Sequence, residues 1–308
     1  MGKPGRIEKR SKLDRGRYGV YFILPFFIAF LLLQIYPMLY TFYLSLTSWN
    51  GMAATKEMTG FSNYTRLFAD TIFWKSMGNT VLIWFINVVP RMAAGLLIAV
   101  LLTQCRVKGA KFFRAIFYFP NLVNASSIAL LLALILNWKN GMLNKALVAT
   151  GILQEGINWL GDPTSTRVAV ASTIWWMWFG HATILFMTGI LSVPEELMES
   201  ARIDGAGPWR RFWSITFPLL KPTFSYVFVT SLIGGLQNFD IPMIVTDGLG
   251  SPDKSILTSV MYMYNLTFKS SQYGYGSAVA YGLFMVVMVV SMLTFRLVNG
   301  NQHSRRAV

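Results

Sequence analysis

The sequence predicts an all-helical, polytopic membrane protein that crosses the bilayer six times. Three observations lead to this fold class. Of the 308 residues, 54% are hydrophobic and 13% are charged, whereas soluble domains carry about 25% charged residues. The apolar residues are gathered in six long runs, and the positive charges lie mostly on one side of those runs. The same composition excludes a disordered chain, a collagen-like fibre and a disulfide-stapled secreted domain.

A hydrocarbon core of about 30 Å requires about 20 mostly apolar residues in a helix, and six stretches meet that requirement. The predicted spans are Tyr18–Leu46, Gly78–Leu102, Phe112–Leu136, Val168–Leu191, Thr223–Val245 and Ala278–Val298. The first span follows a basic tail at residues 1–17, but its apolar run is too long for a cleaved signal peptide and no Ala-x-Ala site follows it. We therefore expect a retained helix and a single membrane domain over residues 18–308.

Lysine and arginine predict the orientation, because cytoplasmic loops of membrane proteins are enriched in both residues. With the N-terminus in the cytoplasm, 18 of the 27 Lys and Arg residues fall on the cytoplasmic side and 8 on the outer side. Both termini are therefore predicted to be cytoplasmic. The net charge of +14 follows from this topology and does not indicate a nucleic-acid partner.

The fourth and fifth predicted spans are joined by a cytoplasmic loop at residues 192–222, which is long for a connection between bundle helices. Its sequence predicts two short helices around a turn. We expect Ser192 to cap the first helix and Gly205 to end it, because glycine tolerates the left-handed backbone conformation. Pro208 is expected to open the second helix, and Pro218 and Pro222 to close it. The apolar stripe of the second helix also fits a helix that lies in the membrane interface.

Eight spaced residues of this loop resemble the EAA loop of the permease subunits of bacterial binding-protein-dependent ABC importers. They are Glu199, Ser200, Ala201, Asp204, Gly205, Ala206, Ile215 and Pro218. The chain departs from the family pattern mildly, with Ser200 in place of an alanine and Phe217 in place of a leucine. Outside the loop, further matches resemble the sugar-importer branch that includes the maltose and glycerol-phosphate permeases. These are Tyr36-Pro37, Gly60-Phe61-Ser62-Asn63-Tyr64, Asn79-Thr80 and Phe239-Asp240.

The resemblance implies a type I ABC importer permease fold in the bacterial cytoplasmic (inner) membrane. The EAA loop would seat in a cytoplasmic ATPase, where Glu199 would meet a basic residue and Gly205 would form the turn. ATP and Mg would bind to that ATPase, since this chain has no G-x-x-x-x-G-K-[ST] phosphate loop, and the chain itself would not be an enzyme. The implied partners are a second permease, two ATPase copies and an extracytoplasmic solute-binding protein.

Ionisable residues inside a membrane span are candidates for function, and the predicted spans contain Arg91 and Asp240. Two glycines and a polar run precede Asp240, which predicts a broken helix that lines a cavity. Amide and carboxylate groups hydrogen-bond sugar hydroxyls, and aromatic faces stack on sugar rings. The predicted substrate pathway comprises Arg91, Trp175, Trp178, Gln237, Asn238, Asp240 and Tyr281.

Other interpretations of these residues stay open. The aromatic and polar side chains also fit packing and hydrogen bonding between helices, and His181 is interpreted as a neutral packing histidine. A permease of the same fold for glycerol phosphate or another polar solute would use the same positions. A half-unit of a proton-coupled carrier is the alternative from another class, although Asp240 would be its one intramembrane acid. An intramembrane serine protease is disfavoured, because Ala278 follows Gly276-Ser277 where a glycine is required.

Overall fold

Fourteen α-helices make up the fold in residues 14–299 of the computed structural model, which describes all of these residues except Ala54 and Arg106. Residues 1–13 of the predicted basic tail lie outside the described part. The only strand-like pairing in the described residues is an isolated antiparallel bridge between Thr47 and Met58. In chain order the helices are α1 (Asp14–Phe30), α2 (Tyr36–Ser45), α3 (Ser62–Ala69), α4 (Thr71–Gln104), α5 (Ala110–Leu122), α6 (Ala125–Ile135), α7 (Met142–Ala149), α8 (Pro163–Leu191), α9 (Glu195–Ile203), α10 (Pro208–Arg211), α11 (Phe217–Leu236), α12 (Asp240–Val245), α13 (Ser259–Tyr264) and α14 (Tyr273–Asn299).

Five helical stretches of the described chain are long and apolar enough to cross a membrane, or six if one bent pair is counted as a span. The five are Gly19–Ser45, Thr71–Gln104, Pro163–Leu191, Pro208–Val245 and Tyr273–Arg296. We call the end of the bundle that carries α9 and α10 the EAA end. The opposite end, which carries α3, α7 and α13, is the cap end.

The third predicted span is not one straight helix, because α5 and α6 meet at an angle of 89°. Asn124 separates them with an extended backbone, and its side chain accepts a hydrogen bond from the Ser126 amide, which caps α6. Asparagine is a preferred capping residue, so the break is encoded locally. As a result α6 packs against α12.

Two stretches that contain a proline remain helical, although proline ordinarily disrupts a helix. A π-helical turn at Leu31–Ile35 precedes Pro37, and another at Phe212–Thr216 precedes Pro218. A proline ring opposes the carbonyl four residues earlier, and in both cases that carbonyl lies inside the wider turn. Such turns accommodate a proline within a helix. The prediction that Pro218 and Pro222 close the second loop helix is therefore wrong, since α10 continues through this turn into α11, and Pro222 lies inside α11.

Helices α4 and α8 form the central pair of the bundle, and α11 packs against both. Small residues let the neighbouring helices approach closely, as is common in membranes. The clearest case is Gly180 on α8, where a Cβ atom would lie 1.8 Å from the Phe117 carbonyl oxygen on α5. The buried core between α4, α8 and α11 is apolar, and includes Val88, Phe186, Leu220 and Val227.

The first span contributes little to this core. None of the residues in its most apolar stretch is buried within the chain, and its main helical neighbour is α14, which packs on α2. The hydroxyl of Tyr281 on α14 donates a hydrogen bond to the Met38 carbonyl at 2.7 Å. The first span is therefore held at one end only, and it presents a long apolar surface to its surroundings.

Candidate functional site

A cavity of about 260 Å³ lies at the centre of the bundle, where α4, α8 and α11 face the break between α11 and α12. The fifth span is broken at this point, as the glycines and polar run predict. Helix α11 ends at Leu236 and α12 begins at Asp240. The polar side chains and tryptophans that line the cavity are Trp84, Asn87, Arg91, Trp178, His181, Thr230, Ser231, Gln237, Asn238 and Asp240.

Five of the seven predicted pathway residues are brought together here, namely Arg91, Trp178, Gln237, Asn238 and Asp240. The other two lie outside this cavity. Trp175 stacks on Phe179 with ring centroids 5.5 Å apart. Tyr281 lies against Phe42 with ring centroids 5.2 Å apart and joins α14 to α2.

The sequence reasoning missed the contribution of α4 to this cavity beyond Arg91. Trp84, Asn87 and Arg91 are spaced three and four residues apart, so they share one helix face, and this spacing was a usable signal. The Trp84 indole donates to the Ser231 hydroxyl on α11 at 3.2 Å, which fixes its ring at the cavity wall. His181, interpreted as a packing residue, also lines the cavity, next to the Trp178 ring at 5.6 Å.

Several polar atoms around the cavity are buried and have no hydrogen-bond partner among the described residues. They are Nε of Arg91, Oδ1 of Asn87 and Nδ2 of Asn238. Arg91 is 8% exposed and Asn87 is 2% exposed, so bulk water does not reach them freely. Buried polar groups are nearly always hydrogen-bonded in folded proteins, and unpaired ones at a cavity wall are therefore available to a ligand.

The EAA loop at residues 192–222 projects from the other end of the same helices. Helix α9 ends in a Schellman motif, in which the Ala206 amide donates to the Ala201 carbonyl at 2.9 Å and the Gly205 amide donates to the Arg202 carbonyl at 3.1 Å. Gly205 has φ +75°, a left-handed conformation that glycine adopts without steric cost. The predicted turn at Asp204-Gly205 is thus confirmed.

Other residues of the EAA motif take different places. Glu199 and Ser200 are exposed on α9, Ile215 is half-buried in the π-helical turn, and Pro218 lies in the first turn of α11. The predicted capping role of Ser192 is wrong, because its hydroxyl donates to the Gly189 carbonyl at the end of α8. Helix α9 instead begins after Pro194, without a side-chain cap.

The tip of the EAA loop carries unusually exposed apolar side chains, with Ile203 86% exposed and Trp209 74% exposed. Behind the tip, a second cavity of about 890 Å³ separates the loop from the ends of α4 and α8. Arg211 lines it, and its Nε and Nη1 atoms are buried without a partner in the described chain. Exposed apolar groups of this size mark interaction surfaces, so this end of the chain has the character of an interface.

The cap end is built differently. Asn79 on α4 donates from Nδ2 to the carbonyls of Lys254, at 2.7 Å, and Leu257, at 3.2 Å. Its Oδ1 accepts from Nη2 of Arg167 at 3.2 Å, and Nε of Arg167 donates to the Ser255 carbonyl at 3.2 Å. We call this group, together with Asp70 and Thr80, the polar cap.

Asp70 and Thr80 complete the polar cap. Oδ1 of Asp70 accepts from the amides of Ile72 and Phe73, which caps α4, and Oδ2 accepts from the hydroxyls of Tyr262 and Tyr275. Burial alone would raise the pKa of Asp70, but these four hydrogen bonds together hold it below its usual value. Thr80 accepts from the amide of Ser259 at 3.0 Å.

Comparison with known proteins assigns the chain to a family. The family described as "Binding-protein-dependent transport system inner membrane component" matches residues 91–299 of this chain. The lactose transport system permease protein LacF of Rhizobium radiobacter is 32% identical over 278 residues, covering 90% of this chain and 92% of LacF. The sulfoquinovosyl glycerol transport system permease protein SmoG of Agrobacterium fabrum is 34% identical over 282 residues, covering 91% of this chain and 89% of SmoG.

The fold also matches a solved structure. The crystal structure of a bacterial alginate ABC transporter, in complex with an alginate pentasaccharide-bound periplasmic protein, contains a chain that superposes with a TM-score of 0.79. The two chains are 22% identical, and the match covers 92% of this chain and 95% of that one. The fold class is thus that of a type I ABC importer permease, and the protein is a multi-pass membrane protein. The chain belongs to the family of inner membrane components of binding-protein-dependent transport systems.

Proposed function

We propose that this chain is the membrane-spanning permease subunit of an ATP-driven importer, which moves an oligosaccharide from an extracytoplasmic binding protein into the cytoplasm. The observation that carries the proposal is the central cavity. It lies at the break of a membrane-spanning helix and is lined by amide, hydroxyl and indole groups, which are the groups that bind sugars. The names of the relatives LacF and SmoG support a sugar as the transported solute.

Within the cavity, the polar residues of the helix break are assigned to the solute hydroxyls. Gln237 and Asn238 lie where the backbone leaves the helical conformation, Asp240 begins α12, and all three residues line the cavity. Trp84 and Trp178 line the same cavity and offer aromatic faces for a sugar ring. Trp175 and Tyr281 remain predicted pathway residues, and in this conformation they lie outside the cavity.

The EAA loop is assigned to coupling with a separate ATPase, which binds ATP and Mg. Glu199 is exposed on α9, one turn before the exposed side chain of Ile203, and Trp209 is exposed at the start of α10. An exposed acid beside exposed apolar groups fits a cleft that offers a basic residue and an apolar floor. Movement of the two ATPase copies would then be transmitted through α9 and α10 to the spans that surround the central cavity.

The remaining partners follow from the surfaces that the chain leaves uncovered. The first span presents its apolar face to a second permease. The outer segments Trp49–Met77 and Asn137–Arg167, which carry α3 and α7, face the binding protein. In this arrangement the EAA end and both termini are cytoplasmic, as the distribution of Lys and Arg predicts. The single membrane domain spans residues 18–308, after the basic tail at residues 1–17.

The proposal is tested by purifying the tagged chain from its native membrane in mild detergent and counting every co-purifying subunit. One second permease and two ATPase copies are expected. Isolation of the chain alone, or only with itself, would contradict the assignment of coupling to the EAA loop.

A transport measurement separates the proposal from a proton-coupled carrier. In vesicles that contain the purified complex and a binding protein, sugar uptake should require ATP inside the vesicle and continue when a protonophore collapses the proton gradient. Uptake that persists without ATP but stops with the protonophore would assign the chain to the carrier class instead.

A further inference from the structure

The central cavity contains a positive charge that forms no ion pair with any described residue. Arg91 lies within the second span, and its side chain is 8% exposed. Its Nε atom is buried and has no hydrogen-bond partner in the described part of the chain. Arginine stays protonated in proteins, and a charge inside a membrane is costly unless another charge or polar groups stabilise it. A permanent charge at the wall of a ligand cavity therefore indicates a ligand that completes it.

The neighbouring unpaired atoms define what that ligand carries. Nδ2 of Asn238 is a second unpaired donor, and Oδ1 of Asn87 is an unpaired acceptor. Both residues line the same cavity as Arg91. The site thus offers two donors, one of them cationic, and one acceptor. A ligand with an anionic group for the donors and a hydroxyl for the acceptor satisfies all three.

Two other ionisable residues line the cavity, His181 and Asp240. Asp240 is exposed and occupies the first residue of α12, where the positive end of the helix stabilises a carboxylate. His181 adds no negative charge. Asp240 therefore has its own source of stabilisation and exposure to water, whereas Arg91 has neither.

We propose that Arg91 receives the anionic group of an acidic saccharide, a sugar that bears a carboxylate, sulfonate or phosphate. This inference rests on the proposed function and narrows its substrate class. Charge-assisted hydrogen bonds between guanidinium and such groups are among the strongest in proteins, and they are frequently bidentate. The cavity volume of about 260 Å³ is below the range of about 300–1,000 Å³ typical of whole-ligand pockets. The site therefore fits the charged end of a saccharide rather than a long chain.

The test compares four probes that share the glucose ring and differ only at the exocyclic carbon C6: glucose, glucuronate, glucose 6-phosphate and 6-deoxy-6-sulfoglucose. Binding to the detergent-solubilised complex, with its co-purified permease and ATPase subunits, is measured by saturation-transfer NMR. The binding protein is left out, so that the measurement reports the membrane site alone. At least one anionic probe is expected to bind about tenfold to a hundredfold more tightly than glucose, the range of a charged hydrogen bond. The probe that does so identifies the anionic group.

Arg91→Gln should remove that preference, so that the anionic probes bind no more tightly than glucose does, whereas Arg91→Lys should retain part of the preference. Asp240→Asn should strengthen binding of the anionic probes, because it removes a like charge from the cavity. Arg114→Gln is the matched control, since the Arg114 Nε atom donates to the Ala110 carbonyl near the start of α5, away from the cavity. It should behave as the unmodified complex does.

Three results would overturn the inference. One is equal binding of all four probes, and another is an equal loss of glucose and anion binding in Arg91→Gln. The third is a purified Arg91→Gln complex that has lost the second permease but still prefers the anionic probes. That result would assign the charge of Arg91 to a contact between subunits. Each result leaves ATP-dependent uptake of a neutral oligosaccharide as an independent test of the proposed function.

Discussion

The polar cap and the central cavity place similar side chains in similar surroundings and use them in opposite ways. Asn79 and Asn87 both lie on α4 and are both buried, at 5% and 2% exposure. The Asn79 amide makes three hydrogen bonds to the segment that follows α12 and to Arg167. The Asn87 amide makes one long contact, at 3.4 Å to the Trp84 carbonyl, and its oxygen is unpaired.

Two arginines, half-buried Arg167 and buried Arg91, repeat the contrast. Arg167 donates to Asn79 and to the Ser255 carbonyl, while Nε of Arg91 has no partner in the described chain. Satisfied polar networks rigidify a structure, and unsatisfied groups are costly to keep. The polar cap is therefore held together largely by contacts within the chain. The cavity and the EAA end hold polar groups that have no partner among the described residues, and we propose that these partners come from outside the chain.

The largest expected effect concerns the EAA end, and it is obtained by substituting Gly205 with tryptophan. Gly205 has φ +75°, and a Cβ atom added to it would meet nothing within 4 Å. The tryptophan would strain the Schellman turn by about 1–2 kcal/mol and would place bulk on the face that we assign to the ATPase contact. We expect ATP-dependent uptake to fall to background, while the variant inserts in the membrane at normal levels.

Gly109→Trp provides the matched control for this variant. Gly109 also has positive φ, at +80°, with nothing within 4 Å of its added Cβ atom, and it lies in the turn between α4 and α5 at the same end. Its substitution carries the same local strain outside the EAA motif, so uptake should be largely retained. Normal uptake by Gly205→Trp at normal expression would contradict the coupling assignment.

A smaller effect is the difference in stability between alanine variants of the two asparagines of α4. Asn79→Ala removes the hydrogen bonds to the carbonyls of Lys254 and Leu257 and the one from Nη2 of Arg167, so we expect a loss of about 2–3 kcal/mol in stability. Asn87→Ala removes one long hydrogen bond beside an existing cavity and should cost less than about 1 kcal/mol. The measurement is the thermal unfolding midpoint of each purified variant in the same detergent. Equal shifts for the two variants would remove the distinction between cap and cavity.

The spans were predictable from the sequence because each long apolar run has few alternatives in a membrane. The broken fifth span was also predictable, since glycines, polar residues and a proline coincide there. The 89° bend at Asn124 was not predicted, because the span was assigned by hydropathy alone, although Pro120, Asn121, Asn124, Ser126 and Ser127 form a local signal for a break. The helix through Pro218 was missed for a related reason, since a wider turn compensates for the proline only in three dimensions.

The candidate site was predictable where polar residues interrupt a span, as Arg91 and Asp240 do. It was less predictable for the aromatic residues, which were assigned to the pathway only because they lie in a predicted span. Trp178 faces the cavity and Trp175 does not, although both lie on α8, because helix rotation decides which face a residue shares. Trp84 and Asn87 share the helix face of Arg91, and the same periodicity would have found them. No sequence pattern indicates which of these polar atoms lack partners, since that depends on what the neighbouring helices offer.

The smallest expected effect is the pH dependence of stability that Asp70 of the polar cap contributes. The hydrogen bonds from Ile72, Phe73, Tyr262 and Tyr275 hold the pKa of Asp70 below its usual value. The folded state therefore binds this proton less readily than the unfolded state, whose Asp pKa is about 3.9. The stabilisation by Asp70 is fully present above that value and is lost as the pH falls through the lower, folded pKa.

Thermal unfolding of the purified complex should accordingly show a component that decreases in the acid range below about pH 4. Asp70→Asn, which keeps the shape but cannot ionise, should be less stable at neutral pH and should lack that component. Tyr262→Phe should weaken it, because it removes one donor to the carboxylate. An acid response of the same size in Asp70→Asn would assign the effect to other carboxylates, and the cap would then owe its stability to its amide and guanidinium contacts.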